Sequence, residues 1–290
     1  KISGMDEKTL ANAMGIVYSQ ICGTLQPHHE GAMVISMQTG FNARAAATAL
    51  TLAEEGIIGA SGVLEGRYGY FRLFEGEYQV DDALDNLGRV WQVERVGHKP
   101  FPCGRLTQGV VEAALTMRKN HGFTAEDVEE CQAIVSPLVQ RLVGRPLDHD
   151  APSAQYAKLS IPFVVASALI KDTVFITDFW EEALVNPAVH DLARRIHVVR
   201  DPAIQDENAM VPLSLLIRLK NGFEHELTLD QMLGHPDKPL SRDQHLTKFK
   251  NCWEVGAGHL PAANQQRLID LVDELEDVAS VEEIIRLLVP

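Results

Sequence analysis

One short segment of this chain combines residue types that could hold an organic acid. It reads His98-Lys99-Pro100-Phe101-Pro102-Cys103-Gly104-Arg105. Its two prolines favour an extended backbone, and the pattern after it predicts a helix over about 106–119. Because the N-terminus of a helix attracts anions, Lys99 and Arg105, with His98 beside them, would complete a carboxylate site. The competing interpretation is an ordinary strand-to-helix connection whose basic residues are solvated.

Other reactive residue types in the chain have weaker support. Cys103 could be a nucleophile beside cations that lower its pKa, but no sequence feature supplies a partner base, and free cysteines usually pack. The triplets Asp148-His149-Asp150 and His28-His29-Glu30 lack further ligands at metal-binding spacing, so we interpret both as polar loops. No phosphate-binding glycine motif is present. We therefore predict neither a metal site nor a cofactor.

The composition sets limits on the class of protein. The 290 residues include 26 Lys and Arg against 40 Asp and Glu, a formal net charge of −14. Such a charge repels phosphate backbones and anionic lipids, so we expect neither a nucleic-acid nor a membrane partner. The longest apolar run, 161–170, is shorter than the ~18 residues that span a bilayer. Four scattered cysteines favour reduced thiols and a cytoplasmic location.

The elements that must position the basic segment follow from periodicity and turn signals. Residues 92–96 alternate like a strand, and 153–170 have the pattern of one long helix with a kink at Pro162. Asn221-Gly222, between apolar runs at 213–219 and 223–229, is a strong hairpin signal. After residue 243 the pattern predicts three closing helices.

The chain has three regions that differ in their periodicity and turn signals. Residues 1–92 are helix-rich, 93–243 are mixed α+β, and 244–290 are helix-rich again. We therefore predict a mainly α fold with an inserted α+β domain, in which the two helical regions pack together as one bundle and the α+β domain forms a smaller lid.

Five motifs, in this order and spacing, resemble the MmgE/PrpD family, which includes 2-methylcitrate dehydratase, cis-aconitate decarboxylase and iminodisuccinate epimerase. They are Leu10-Ala11-Asn12-Ala13-Met14-Gly15-Ile16, Gly40-Phe41-Asn42-Ala43-Arg44-Ala45, Val63-Leu64-Glu65-Gly66-Arg67-Tyr68-Gly69, Lys99-Pro100-Phe101-Pro102-Cys103-Gly104-Arg105 and Ser160-Ile161-Pro162-Phe163-Val164-Val165-Ala166. The resemblance covers nearly the whole chain. It implies a helical domain with an α+β lid, which agrees with the division predicted from periodicity and turn signals.

The resemblance also assigns roles to single positions. Lys99 matches the lysine of the lid motif, and we take it as the catalytic residue. The decarboxylase-type histidine falls on Gly104, a helical-domain lysine falls on Ile35, and an aromatic hydroxyl position falls on Phe163. A helical segment that supplies an aspartate and histidines is expected before Lys1. The three departures argue against decarboxylation of the cis-aconitate kind.

The function implied by the resemblance is a cofactor-independent lyase. Its expected reaction is dehydration or hydration of a 2-methylcitrate-like hydroxy tricarboxylic acid, as in propionate metabolism, in a homodimer. One alternative is a catalytically impaired relative that acts as a dimerising or regulatory subunit. Another is an isomerase or epimerase of a small dicarboxylate, which would need two bases on opposite faces, whereas only Lys99 is a visible candidate.

Overall fold

The chain divides into two compact units. The computed structural model describes residues 4–75, 77–79, 84–147 and 151–289. Unit 1 comprises Lys1–Glu94 with Pro152–Tyr156, and unit 2 comprises Arg95–Ala151 with Ala157–Pro290. The predicted packing of the closing helices against residues 1–92 stays a prediction. The triplet Asp148-His149-Asp150 lies outside the described residues.

Unit 1 is built from helices. They are α1 (Glu7–Tyr18), α2 (Gln26–Glu30) and α3 (Gln38–Glu54), with 3-10 helices at Met33–Ser36 and Gln92–Arg95 and a π-helix at Phe71–Glu75. Helix α1 packs on α3. The predicted strand at 92–96 is wrong: Glu94 N donates to the Trp91 carbonyl within a tight turn. Alternation over five residues cannot make a strand without a neighbouring strand to pair with.

Unit 2 combines helices with a small sheet. Its elements are α4 (Gln108–His121), β1 (Val128–Val135), α5 (Pro137–Val143), α6 (Ala154–Ala157, shared with unit 1), α7 (Ile161–Lys171), α8 (Glu181–Leu184), α9 (Pro187–Ala193), β2 (Ile196–Arg200), β3 (Leu213–Leu219), β4 (Glu224–Leu229), α10 (Arg242–Gly256), α11 (Ala262–Asp273) and α12 (Glu282–Arg286). Short 3-10 helices lie at Arg105–Thr107, Ala125–Asp127, Ile176–Phe179 and Leu275–Asp277. The described residues thus have an α-rich fold with a small α+β part.

The strands of the described residues form one mixed sheet in the order β2-β1-β3-β4. Strand β1 runs parallel to β2 and antiparallel to β3, and β3 continues into β4 through a hairpin. Gly222 turns this hairpin with φ +87°, a left-handed conformation that glycine adopts without steric cost. The predicted hairpin at Asn221-Gly222 is confirmed.

The core of unit 2 lies between this sheet and helices α4 and α7. Helix α4 packs on β3 and β4, and α7 packs on α4 and β2. The predicted single helix over 153–170 is wrong, because α7 begins only at Ile161. Ser160 caps it by accepting a hydrogen bond from Phe163 N, and Pro162 in the first turn has no N–H to leave unpaired.

The three predicted closing helices are confirmed as α10, α11 and α12. They enclose a separate small core of Trp253, Leu260 and Leu268. Ser241 caps the N-terminus of α10. Its hydroxyl accepts a hydrogen bond from Gln244 N, and Gln244 Oε1 accepts one from Ser241 N. Within the described ranges, no helix has both the length and the apolar composition for a transmembrane span.

Candidate functional site

A buried glutamine holds the basic corner, by which we mean residues 98–105. Gln108, the first residue of α4, is 1% exposed. Its side-chain oxygen accepts from Phe101 N at 3.1 Å, and its side-chain nitrogen donates to the Phe101 carbonyl at 3.1 Å and the Gly104 carbonyl at 3.2 Å. An extended, proline-rich segment has few backbone partners of its own, so these bonds fix its path. The sequence prediction does not include Gln108, although a polar residue at the start of an apolar helix is a signal that could have indicated it.

The structure does not support Cys103 as a nucleophile. Its side chain is buried, and desolvation raises the pKa of the Cys103 thiol to about 11. Thr107 Oγ1 and Gln108 Nε2 donate to the sulfur at 3.1 and 3.2 Å, but they only partly offset this effect. A thiol with that pKa is protonated at neutral pH, so Cys103 belongs to the packing of the corner.

The three positions that depart from the family pattern have different surroundings. Gly104 N donates to the Lys158 carbonyl at 2.9 Å, and a Cβ at Gly104 would lie 2.9 Å from Leu159 Cδ2. Phe163 is fully buried in α7, with its ring centroid 6.0 Å from that of Phe179. Ile35 is half-buried in unit 1. None of these three side chains offers an acid, a base or a hydroxyl.

A cavity of about 450 Å³ lies in unit 2 beside the basic corner. It has three walls: corner residues, an apolar wall from two loops, and one face of α10. The lining residues are Lys99, Pro100, Phe101 and Pro102; Thr173, Val174, Phe175, Ile176, Leu233 and Leu240; and Asp243, Gln244, Thr247, Lys248, Asn251 and Cys252. A mostly apolar cavity with a few charged groups is typical of a small-molecule site.

Two lysines lie on this cavity without an acidic partner. Neither Lys99 nor Lys248 has a carboxylate within ion-pair distance among the described residues, although Asp243 also lines the cavity. Lys248 Nζ donates to the Lys99 carbonyl oxygen at 2.7 Å. In a chain of net charge −14, two lysines without an ion-pair partner at one cavity are groups that can bind an anion.

Arg105 and His98 lie on the corner but are not among the described residues that line the cavity. Arg105 Nη1 is buried, with no hydrogen-bond acceptor in the described part of the chain. The His98 ring contacts His245 of α10 edge-to-face, with 4.8 Å between centroids. Burial, reinforced by His98 and then by Lys248 and Arg242, lowers the pKa of His245. The carboxylate-binding roles of Arg105 and His98 stay predictions.

A glutamate of α4 supports the loop that supplies Leu233 and Leu240 to the cavity. Glu112 accepts from Leu233 N at 2.7 Å and from Lys238 Nζ at 2.6 Å. The same loop accepts a backbone hydrogen bond of 2.7 Å from His98 N at the Gly234 carbonyl. Helix α4 therefore anchors both the basic corner, through Gln108, and the apolar wall, through Glu112.

The charge and shape of the cavity suit an organic anion better than a cation. Across the described ranges, no group of three or more His, Cys, Asp or Glu residues could hold a metal ion. Two ammonium groups can bind carboxylates, and both lysines are open to solvent beside the apolar wall.

Comparison with known proteins identifies the family. The model of the MmgE/PrpD C-terminal domain matches residues 101–277, and that of the MmgE/PrpD N-terminal domain matches residues 1–83. A cis-aconitate decarboxylase of Aspergillus terreus (strain NIH 2624 / FGSC A1156) is 24% identical over 304 residues, which cover 99% of this chain and 61% of that protein. The cis-aconitate decarboxylase of Mus musculus is 25% identical, over 90% of this chain and 54% of that protein. The chain thus spans 61% or less of the length of these relatives. With its N- and C-terminal parts matched in order, the chain belongs to the MmgE/PrpD family.

Proposed function

We propose that this chain acts as a cofactor-independent lyase on a small polycarboxylate, and that Lys99 binds a carboxylate of that substrate in the cavity. The observation that carries the proposal is the Lys99 ammonium, which lines the cavity and has no carboxylate partner in the described part of the chain. Membership of a family whose curated relatives are named cis-aconitate decarboxylases supports it.

The role proposed for Lys99 is electrostatic. Removal of a proton or of a carboxyl group next to a carboxylate builds negative charge on the substrate, and a fixed cation lowers the energy of that transition state. The apolar side chains of Phe101, Val174 and Leu233 reduce the local dielectric and so strengthen the effect. We propose that the general base is a histidine or an aspartate.

Among lyase reactions, we propose dehydration or hydration of a 2-methylcitrate-like hydroxy acid. The decarboxylase-type histidine position is Gly104, where a side chain would meet Leu159. Decarboxylation, the reaction in the names of the relatives, is the competing outcome. Product analysis separates the two: decarboxylation of cis-aconitate releases carbon dioxide, whereas dehydration of 2-methylcitrate creates a carbon–carbon double bond and releases none.

Ligand-dependent stability tests the binding part of this proposal. The complete protein is unfolded thermally with citrate, 2-methylcitrate or cis-aconitate. A ligand at about 100 times its Kd should stabilise the folded state by about 2.7 kcal/mol. Lys99→Gln should lose most of that gain, whereas Lys220→Gln, an exposed lysine at the β3–β4 hairpin, should keep it. Equal stabilisation of the wild type and Lys99→Gln by all three acids, or no stabilisation of either, would contradict the proposal.

A dimerising or regulatory subunit without activity is the second candidate function. The absence of a functional group at Ile35, Gly104 and Phe163 favours it. Carboxylate binding that depends on Lys99, together with no turnover of any of the three acids, would support this candidate. A homodimer is expected under both functions and is checked by the mass of the protein in solution. Epimerisation of a dicarboxylate ranks lower, because the relatives are named decarboxylases and not epimerases.

A further inference from the structure

One face of helix α10 is turned toward the cavity. Its lining residues are Asp243, Gln244, Thr247, Lys248, Asn251 and Cys252. Their spacing follows the 3.6-residue period, so they form a single stripe along the helix. All six are exposed, and Lys248 is the cation among them. The stripe is therefore a polar wall with one basic residue, Lys248, near its middle and one acidic residue, Asp243, at its N-terminal end.

Lys248 reaches the backbone of the basic corner. Its Nζ lies 2.7 Å from the Lys99 carbonyl oxygen, a contact between residues 149 positions apart. An ammonium group carries three N–H donors, and this bond uses one of them. No carboxylate of the described residues lies within ion-pair distance of Lys248. Two donors thus stay available at the point where α10 meets Lys99.

We propose that Lys248 is a second carboxylate-binding residue of the cavity, and this inference rests on the proposed function. Its bond to the Lys99 carbonyl holds the Lys248 ammonium beside the residue that carries the first cation. A ligand with several carboxylates can then contact both lysines at once, whereas a monocarboxylate needs only Lys99. Lys248 is therefore a specificity determinant for polycarboxylates, contributed by a closing helix and not by the basic corner.

A comparison of two ligands on three variants tests this inference. The complete protein is titrated calorimetrically with citrate and with acetate, as wild type, Lys248→Met, Lys248→Arg and Lys250→Met. Lys250 lies on α10 outside the described cavity lining and is also exposed, so it is the matched control. Loss of one charge-assisted contact predicts a citrate Kd about 10- to 100-fold higher in Lys248→Met, with little change for acetate. Lys248→Arg should keep most of the citrate affinity, and Lys250→Met should keep all of it.

The outcomes separate the inference from the function on which it rests. A citrate Kd in Lys248→Met equal to that in Lys250→Met would overturn the inference. So would an equal loss of acetate and citrate affinity, because Lys248 would then act only by positioning Lys99. If wild-type protein bound citrate no better than Lys99→Gln, the proposed function itself would fail. Misfolding is not a concern at an exposed position, and unfolding midpoints within a narrow range would document this.

Discussion

Two walls of the same cavity differ in how they are held. The basic corner is held by a buried side chain. Gln108 is 1% exposed and makes hydrogen bonds to the backbone of Phe101 and Gly104. Helix α10 lies on the surface, and of its fifteen residues, all described, only Trp253 is buried. It reaches the corner through Lys248 and through the contact of His245 with His98.

The two walls should therefore differ in how much they move when a ligand binds. Hydrogen bonds from the buried Gln108 restrain the backbone that follows Lys99, because breaking them would leave polar groups without partners in a partly buried place. Exposed contacts such as that of Lys248 cost little to break, because water can replace them. We therefore expect the corner to keep its geometry with and without a ligand, and α10 to adjust around the ligand.

The largest expected effect comes from breaking the rigid wall. Gln108→Leu is similar in size but leaves Phe101 N and the Phe101 carbonyl without this partner, whereas the Gly104 carbonyl keeps the hydrogen bonds from Thr107 N and Thr107 Oγ1. At about 1–3 kcal/mol for each buried unsatisfied group, we expect a loss of about 2–4 kcal/mol in the free energy of unfolding. Urea denaturation measures it.

A second glutamine is the matched control, because it tests whether the loss of any glutamine would destabilise the protein equally. Gln140 is exposed on α5 and makes only a long hydrogen bond of 3.4 Å to the Val198 carbonyl. Gln140→Leu should change the free energy of unfolding by less than about 0.5 kcal/mol. Equal effects of the two substitutions would show that Gln108 is not what fixes the corner.

A smaller effect is expected where the corner packs on the loop before α7. In Gly104→Ala the new Cβ would lie 2.9 Å from Leu159 Cδ2, the end of a flexible side chain. The backbone of Gly104, at φ −57° and ψ 145°, suits alanine, so only packing opposes the change. We expect a loss of about 1 kcal/mol in the free energy of unfolding. Gly256→Ala, with nothing within 4 Å of its Cβ, should not destabilise the protein and is the control for thermal unfolding.

The smallest expected effect concerns α10 and is the contribution of His245 to the pH dependence of stability. Burial, with electrostatic contributions from His98, Lys248 and Arg242, holds the pKa of His245 below its usual value of 6.5, so the folded state favours the neutral ring. Stability from this group is complete above about pH 6.5 and declines as the pH falls from there through the lowered pKa of the folded state. His245→Gln should therefore lose less stability between about pH 7.5 and pH 5 than the wild type. Identical pH dependence of unfolding in both proteins would contradict this expectation.

The fold was predictable where the signal is local. Asn221-Gly222 predicted its hairpin because asparagine and glycine between two apolar runs favour a tight turn, and the turn is made by residues 220–222. The strand predicted at residues 92–96 is wrong because five alternating residues do not show whether a partner strand exists. The kink predicted at Pro162 is also wrong, because Pro162 lies in the first turn of α7. A proline in a helical sequence pattern is compatible with a kink and with a first turn.

By itself, the sequence determined the basic residues around Lys99, the helix-rich texture and the family. Only the tertiary structure decided which groups share a cavity with Lys99: it brought in Lys248 from 149 residues away and left Arg105 and His98 outside the described lining. Composition and periodicity depend on neighbours along the chain, whereas a binding site depends on neighbours in space. Contacts such as those of Gln108 and Lys248 arise only when the helices pack, so no local pattern encodes them.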